Sequence, residues 1–297
     1  MEFYNSFLKL LSPLRKIGHD LVVLANPDIS SPSAFSKRAL AGWPLIELDE
    51  AFVWVIVYAV LILYGLATRP SDGKEASKPE KKSGKGVLAI LYNEPIKIFM
   101  ALYNLVQVLL CGYMMVEAAR IAFENYSLPI CNPHVNTTKS KLAPVLWLFY
   151  VSKVLDFADT FFIVVRGSWS QFSFLHVYHH FSIFLTYWLV ANAGPDGDVF
   201  YTIVANSFIH FVMYTYYGCS VFGFKPFANV VTELQLTQFV TMMSQALYIL
   251  YNRCPYPQRV TIFYLGYILS LFLLFSSFYA AKYLSSGSSK KAKSKST

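Results

Sequence analysis

Charge is what this sequence has least of. Of its 297 residues only 14% are Asp, Glu, Lys or Arg, while 55% are hydrophobic and 17% aromatic. A water-soluble chain of this length needs far more charge to cover its surface, so a soluble globular class is excluded. Chain breakers are also sparse inside the apolar segments, which run for about 20 residues at a time. A soluble two-domain α/β protein would interrupt such runs every few residues. Strict apolar/polar alternation, the mark of a membrane barrel strand, is absent, and so is any internal repeat. Residues 1–16 lack a long apolar core and a small-residue cleavage site, so no cleavable signal peptide is read and the first span is expected to target the chain. What remains, with a mean hydropathy of +0.43, is an all-α polytopic membrane protein.

The net charge is +8, and its placement says more than its size. Arg69, Lys74, Lys78, Lys81, Lys82 and Lys85 cluster in one loop, and Lys282, Lys290, Lys291, Lys293 and Lys295 in the tail. These flank apolar segments, and no folded soluble face carries them, so they read as topology signals and not as a nucleic-acid surface. Seven apolar segments are expected to be transmembrane helices, near 50–68, 95–117, 144–165, 171–191, 199–218, 230–251 and 259–281. Residues 1–45 then form an N-terminal lumenal segment, 46–285 the seven-helix domain and 286–297 a basic cytosolic tail. With seven spans the Lys-rich loop and the tail fall on one side, the cytosol, and the N-terminus is lumenal. Sequons at Asn125 (NYS) and Asn136 (NTT) fall in the lumenal loop 118–143 of this scheme and are candidate glycosylation sites. Cys131 and Cys254 also fall in lumenal loops, where an oxidising environment permits a disulfide. Cys111 and Cys219 lie within or beside spans.

Ionisable residues inside a span are costly and point to function. The third span reads KVLDFADTFFIVVR, with Lys153, Asp156 and Thr160 on one stripe and Asp159 on its flank. The fourth holds FLHVYHH, and the spacings of His176 to His179 and to His180 are expected to project all three from one side. The fifth, NSFIHFVMYTYYG, lines up Asn206, His210, Met213 and Tyr217, with Tyr214 and Tyr216 beside them. The sixth, TELQLTQFVTMMSQ, puts Thr232, Gln235 and Gln238 on a polar arc continued by Gln245. Counted from the cytosolic ends, Asp159, His179, His210 and Gln235–Gln238 all lie about 8–12 Å inward. Four helices with polar groups at one depth predict a shared pocket opening toward the cytosol.

Two chemistries compete for such a histidine cluster. HVYHH resembles a box of the membrane di-iron desaturases and hydroxylases, a family that needs about eight histidines. This chain has six, and His19 and His134 lie outside the spans, so a His-box metal-dependent desaturase or hydroxylase is the alternative reading. The other chemistry is nucleophilic and acid–base. A desolvated neutral imidazole is both nucleophile and base, a nearby carboxylate tunes it, and the amides and phenols can hydrogen-bond an oxygen on which charge develops. This reading requires no metal and no cofactor. Arg166, Lys225 and Lys282 at the cytosolic mouth would meet an anionic, phosphate-bearing head group carried on an apolar tail.

KVLDFADT, FLHVYHH, NSFIHFVMYTYYG and TELQLTQ, in that order and spacing, resemble the ELO family of fatty acid elongases over roughly residues 45–285. Asp156 stands where that family often has Glu. The resemblance implies a seven-helix endoplasmic-reticulum enzyme, a very-long-chain 3-oxoacyl-CoA synthase. Such an acyltransferase condenses a long-chain acyl-CoA with malonyl-CoA to give 3-ketoacyl-CoA, CO2 and CoA through a histidine acyl-imidazole. Motif position assigns the nucleophile to His179 and an assisting role to His210, with His176, His180, Asp159 and Asn206 orienting the imidazoles. Lys153, Asp156, Arg166, Tyr214, Tyr217, Lys225, Thr232, Gln235 and Gln238 are assigned to substrate binding. The implied partners are the lipid bilayer and the ketoacyl reductase, dehydratase and enoyl reductase of the elongation cycle, with a homo-oligomer left open. HVYHH, without the Phe of some family variants, leans toward polyunsaturated substrates. Lys293 and Lys295, fifth and third from the end, resemble a dilysine retrieval signal.

Overall fold

The computed structural model describes residues 10–70, 95–126, 129–224 and 230–281. All regular structure among them is helical. Helix α1 spans Pro13–Ala25 and α2 Pro32–Ser36, followed by α3 (Leu48–Thr68), α4 (Pro95–Asn125), α5 (Ala143–Leu155) and α6 (Phe157–Val165). The chain continues through α7 (Phe174–Ala193), α8 (Val199–Val221), α9 (Val230–Tyr251) and α10 (Gln258–Tyr279). By length and composition α3, α4 and α10 are apolar enough to cross a membrane. Helices α7, α8 and α9 have 20, 23 and 22 residues, enough for about 30–35 Å, but they carry the polar site residues.

Two boundaries differ from the sequence expectation. The single span expected over 144–165 is two helices meeting at Asp156, where the Asp159 N–H bonds the Asp156 carbonyl (3.1 Å) in a three-residue turn. A tight turn of this kind inside a rod marks a site of local strain or function. Here it lets the Asp156 carboxylate turn back onto Lys153, one turn earlier. Helix α4, expected to end near 117, continues to Asn125. Its last turns are held by Arg120, which bonds both Glu117 and Glu124 at 2.6 Å. Such an i,i+3/i,i+4 network extends a helix without needing apolar burial.

Packing closes six of these helices into a ring, in the order α4, α5, α7, α10, α9, α8 and back to α4. Helix α3 lies outside it, against α6, α7 and α1. The N-terminal stretch caps one end of the ring through hydrogen bonds to backbone carbonyls. Trp147 Nε1 donates to Pro44 O (2.8 Å), Tyr150 OH to Leu45 O (2.9 Å) and Trp188 Nε1 to Ile46 O (2.9 Å). Buried Asp49 takes the Arg15 Nε at 2.7 Å, which answers the desolvation of its charge.

The same end is closed by loops gathered on Asp198. Its carboxylate accepts the backbone N–H of Cys131 (3.0 Å) and of Asn132 (3.1 Å) and the Asn132 side-chain amide (2.9 Å). Cys131 sits at φ +73, a left-handed conformation costly for a non-glycine residue, and these bonds hold it there. Gly197 at φ +71 faces the Pro133 carbonyl, which an added Cβ would meet at 3.0 Å. Cys131 is disulfide-bonded to Cys254, with Cα atoms 4.9 Å apart. His134 lies in this cap, hydrogen-bonded through Nδ1 to Asp196 O (3.3 Å), and burial holds it below the ordinary imidazole value, so it is neutral. Of the two sequon asparagines, Asn125 is exposed at the end of α4, donating to Ile121 O (2.7 Å) and accepting from Lys141 Nζ (2.9 Å). Asn136 commits both side-chain atoms internally, accepting from Ala39 N–H (3.1 Å) and donating to Asn192 O (2.9 Å).

Because the disulfide closes a chain loop of 123 residues, Cys131→Ser is expected to cost about 2–5 kcal/mol. Thermal melting of the purified protein in detergent checks this, and a melting point equal to wild type would count against the clamp.

Candidate active site

The ring encloses a cavity with an empty volume of about 390 Å³, lined by His179 from α7, Asn206 and His210 from α8, Gln235 and Gln238 from α9 and Tyr267 from α10. Helix α7 begins at Ser173, whose Oγ accepts the His176 N–H (3.2 Å), a side-chain cap that sets the register of the histidines. Four buried polar atoms around this cavity have no hydrogen-bond partner among the described residues: His179 Nδ1, His210 Nδ1, Asn206 Oδ1 and Tyr267 OH. Buried polar groups are nearly always satisfied, so four in one cavity mark a place where the protein gives up stability for chemistry.

The histidines do not act as one face. Of the three on α7, only His179 lines the cavity. His176 Nε2 lies 2.7 Å from Thr160 Oγ1 on α6, which is 3.1 Å from Tyr58 OH on α3. His180 lies between, its ring 4.3 Å from His176 and 5.4 Å from His179. The expectation that all three project from one side is therefore corrected. At 100° per residue, positions 176 and 179 are 60° apart, enough for one to point at α6 while the other meets the lumen.

The carboxylates form a second cluster. Asp156 pairs with Lys153 Nζ (3.2 Å) and accepts from Gln107 Nε2 (2.8 Å) and Tyr214 OH (3.2 Å). Tyr214 OH is also 2.9 Å from Asp159 Oδ2. Lys153 and Asp156 are both fully buried, with the ammonium 4.4 Å over the Phe149 ring. The cluster reaches the histidine cavity through Tyr214, whose ring is 5.8 Å from that of His210. None of Lys153, Asp156, Asp159 and Tyr214 lines the cavity itself, so the shared level expected of Asp159 and the histidines becomes two adjoining layers. Gln235 and Gln238 point their amides at the sulfurs of Met213 (3.9 Å) and Met242 (3.4 Å). Gln245, expected to continue their arc, instead donates to Asp198 O (2.9 Å) at the far end. Thr232 is buried outside the cavity lining, Tyr217 is half-exposed and packs on Tyr214, and Arg166 is exposed. Lys225 and Lys282 lie outside the described residues.

Sequence reasoning missed Gln107 and Tyr103 on α4 and Tyr187 and Tyr267 on the lumen wall. Gln107 was the findable one, one of two amides, with Asn104, in a largely apolar stretch of α4. It bonds Tyr103 OH (3.0 Å) as well as Asp156. Among the described residues no three His, Cys, Asp or Glu side chains are grouped as metal ligands.

The profile of the GNS1/SUR4 (ELO) family matches residues 43–291. The chain belongs to the ELO family. It is 40% identical over 190 residues to very long chain fatty acid elongase 2 of Rattus norvegicus, covering 62% of this chain and 68% of that one. It is 34% identical over 257 residues to very long chain fatty acid elongase 5 of Tachysurus fulvidraco, covering 84% and 81%, and 32% identical over the same length to that of Homo sapiens, covering 84% and 80%. Membership in this family does not favour the desaturase reading.

The buried ion pair gives a test of the second layer. Lys153→Met leaves Asp156 charged and uncompensated and is expected to destabilise the protein by about 3–5 kcal/mol. Lys153→Met combined with Asp156→Leu should recover part of that loss. Melting curves of both variants decide it: a single variant as stable as wild type would show that the pair holds nothing together.

Proposed function

We propose that this protein is the condensing enzyme of fatty acid elongation, joining an acyl-CoA to malonyl-CoA. The observation that carries the reading is the convergence of His179 and His210, from separate helices, on one cavity with their Nδ1 atoms unpaired. A neutral, desolvated imidazole is a competent nucleophile toward a thioester. In the first half-reaction an imidazole nitrogen of His179 bonds to the acyl carbonyl carbon, the C–S bond breaks, and CoA leaves with the proton that the imidazole gives up. In the second, malonyl-CoA loses CO2 and the freed electron pair forms the new C–C bond. The acyl–nitrogen bond breaks and the imidazole takes up one proton. His210 handles the proton near the same carbonyl, and Asn206 with Gln235 and Gln238 meets the oxygen on which charge develops. His176, His180 and Asp159 position these groups from behind, with Asp156 and Lys153 holding Tyr214. No metal or cofactor takes part in this scheme.

The same reading includes seven spans, with α5 and α6 crossing together, the N-terminus lumenal and the C-terminus cytosolic. The disulfide-clamped end then lies in an oxidising lumen, and the first cavity opens toward the cytosol, where CoA esters are met. The endoplasmic reticulum membrane is the site, supported by the tail residues Lys293 and Lys295, which lie outside the described residues. Reductase and dehydratase activities, for which the chain has no residues, come from partner enzymes.

Two measurements test this. Purified protein given an acyl-CoA and carboxyl-labelled malonyl-CoA is expected to release labelled CO2, and His179→Ala to lower that release at least about 1000-fold, the scale of losing a nucleophile; a variant still active within tenfold of wild type would remove His179 from the role. For topology, glycosidase treatment is expected to shift wild-type mobility and leave Asn125→Gln unshifted. A shift lost only on changing Asn136 would reverse this choice between the sequons.

A further inference from the structure

A second cavity lies deeper in the ring, with an empty volume of about 360 Å³, and Tyr187 is the one side chain that lines both. The two differ in chemistry. The first has unpartnered buried polar atoms on His179, His210, Asn206 and Tyr267, whereas the second is lined mainly by aliphatic and aromatic side chains, Val190, Val199, Ala246, Ile249 and Val260 among them. Three of its polar members donate to backbone carbonyls: Gln245 Nε2 to Asp198 O (2.9 Å), Tyr256 OH to Gly194 O (2.9 Å) and Thr261 Oγ1 to Pro257 O (3.2 Å). A mainly apolar cavity whose donors are largely committed suits hydrocarbon better than a polar ligand. Between the two stands a bridge of hydroxyls from three helices. Thr202 Oγ1 of α8 is 2.9 Å from Tyr264 OH of α10, and Tyr264 abuts the Tyr187 hydroxyl of α7. The Tyr187 ring is held edge-on by Phe149 at 4.7 Å.

The lengths fit a chain that must cross this bridge. From His179 to Tyr187 the helix rises about 12 Å, and from Gln235 at the first cavity to Ile249 at the second about 21 Å. A staggered hydrocarbon with bonds near 1.5 Å advances about 1.3 Å per carbon. An extended chain therefore needs about nine carbons to run from the level of His179 to that of Tyr187, and about sixteen to run from the level of Gln235 to that of Ile249.

We propose that Tyr187, Tyr264 and Thr202 form a gate between a reaction chamber and a tail chamber, parted only by acyl chains that outgrow the first cavity. The inference rests on the elongase reading above. Opening the gate breaks the Thr202–Tyr264 hydrogen bond, so long chains meet a cost that short ones do not. The floor, at Ile249 and Tyr256 under the Asp198 cap, then ends the path.

The test is the rate of elongation across saturated acyl-CoAs of ten to twenty-two carbons, read as the ratio of the longest to the shortest chain that wild type extends. Each ratio is internal to one preparation, so it is independent of yield. Thr202→Val removes the bridging hydroxyl at constant shape and is expected to raise the ratio about twofold to tenfold, the range of one hydrogen bond. Ala246→Phe fills the second cavity and is expected to lower it about tenfold or more, as for excluding one or two methylenes. An unchanged or lowered ratio in Thr202→Val overturns the gate, as does an unchanged ratio in Ala246→Phe. Should Ala246→Phe yield no product, Thr202→Val decides alone. Wild-type protein that extends no chain defeats the elongase reading and the gate with it, whereas normal extension with unmoved ratios defeats the gate only.

Discussion

A polar side chain surrounded by hydrocarbon must find its partner inside the protein, and the rest of this structure follows from that constraint. Lys153 and Asp156 are buried one helical turn apart. Neither charge is tolerable there alone, and their mutual attraction does not by itself repay two desolvations. The balance is completed by Gln107 from α4 and Tyr214 from α8, which give the carboxylate its remaining hydrogen bonds. Those two residues lie on helices far apart in sequence from Lys153, so satisfying the pair brings three elements together. The turn at Asp156 that divides α5 from α6 belongs to the same solution, because it aims the carboxylate at all of its partners.

The satisfied layer makes the unsatisfied one possible. His210 is on the same helix as Tyr214, one turn away, and its ring packs on that of Tyr214. The imidazole is thus fixed by a rigid polar framework without having its own Nδ1 bonded. His179 is fixed differently, by His180 behind it and Phe275 across from it, with ring centroids at 5.4 and 6.0 Å. Two imidazoles held by packing, not by hydrogen bonds to each other, keep their nitrogens available in a cavity from which bulk water is largely excluded. Electrostatic interactions are strongest in such a place.

At the opposite end the problem is mechanical. A ring of helices around a hollow gains less packing than a solid bundle, because side chains facing a void lack dispersion partners. The cap compensates with long-range covalent and polar ties: the Cys131–Cys254 disulfide, the Asp198 carboxylate with three donors, and the tryptophan and tyrosine bonds to residues 44–46. Backbone in left-handed conformation at Leu45, Cys131 and Arg253 is found at these ties, where neighbouring bonds hold the chain in a shape it would not choose.

Much of this could be read from the chain alone, since some requirements are local. Burial in lipid demands helices about 20 residues long, so most element boundaries follow from apolar runs, and α9 begins and ends where hydropathy puts it. Costly groups such as Lys153, Asp159, His179, His210 and Asn206 announce themselves by standing in those runs. Tertiary structure decided what each costly group faces. The spacing of His176, His179 and His180 is equally consistent with one shared face or with division between a wall and a cavity, because a helical wheel has no partners drawn on it. The assignment of Asp156 and Asp159 to a supporting layer, the rescue of that layer by Gln107, and the meeting of Tyr187 with Tyr264 all depend on which helices are neighbours. That order is set by the closure of the ring, a property of packing between segments a hundred residues apart, and no local pattern encodes it.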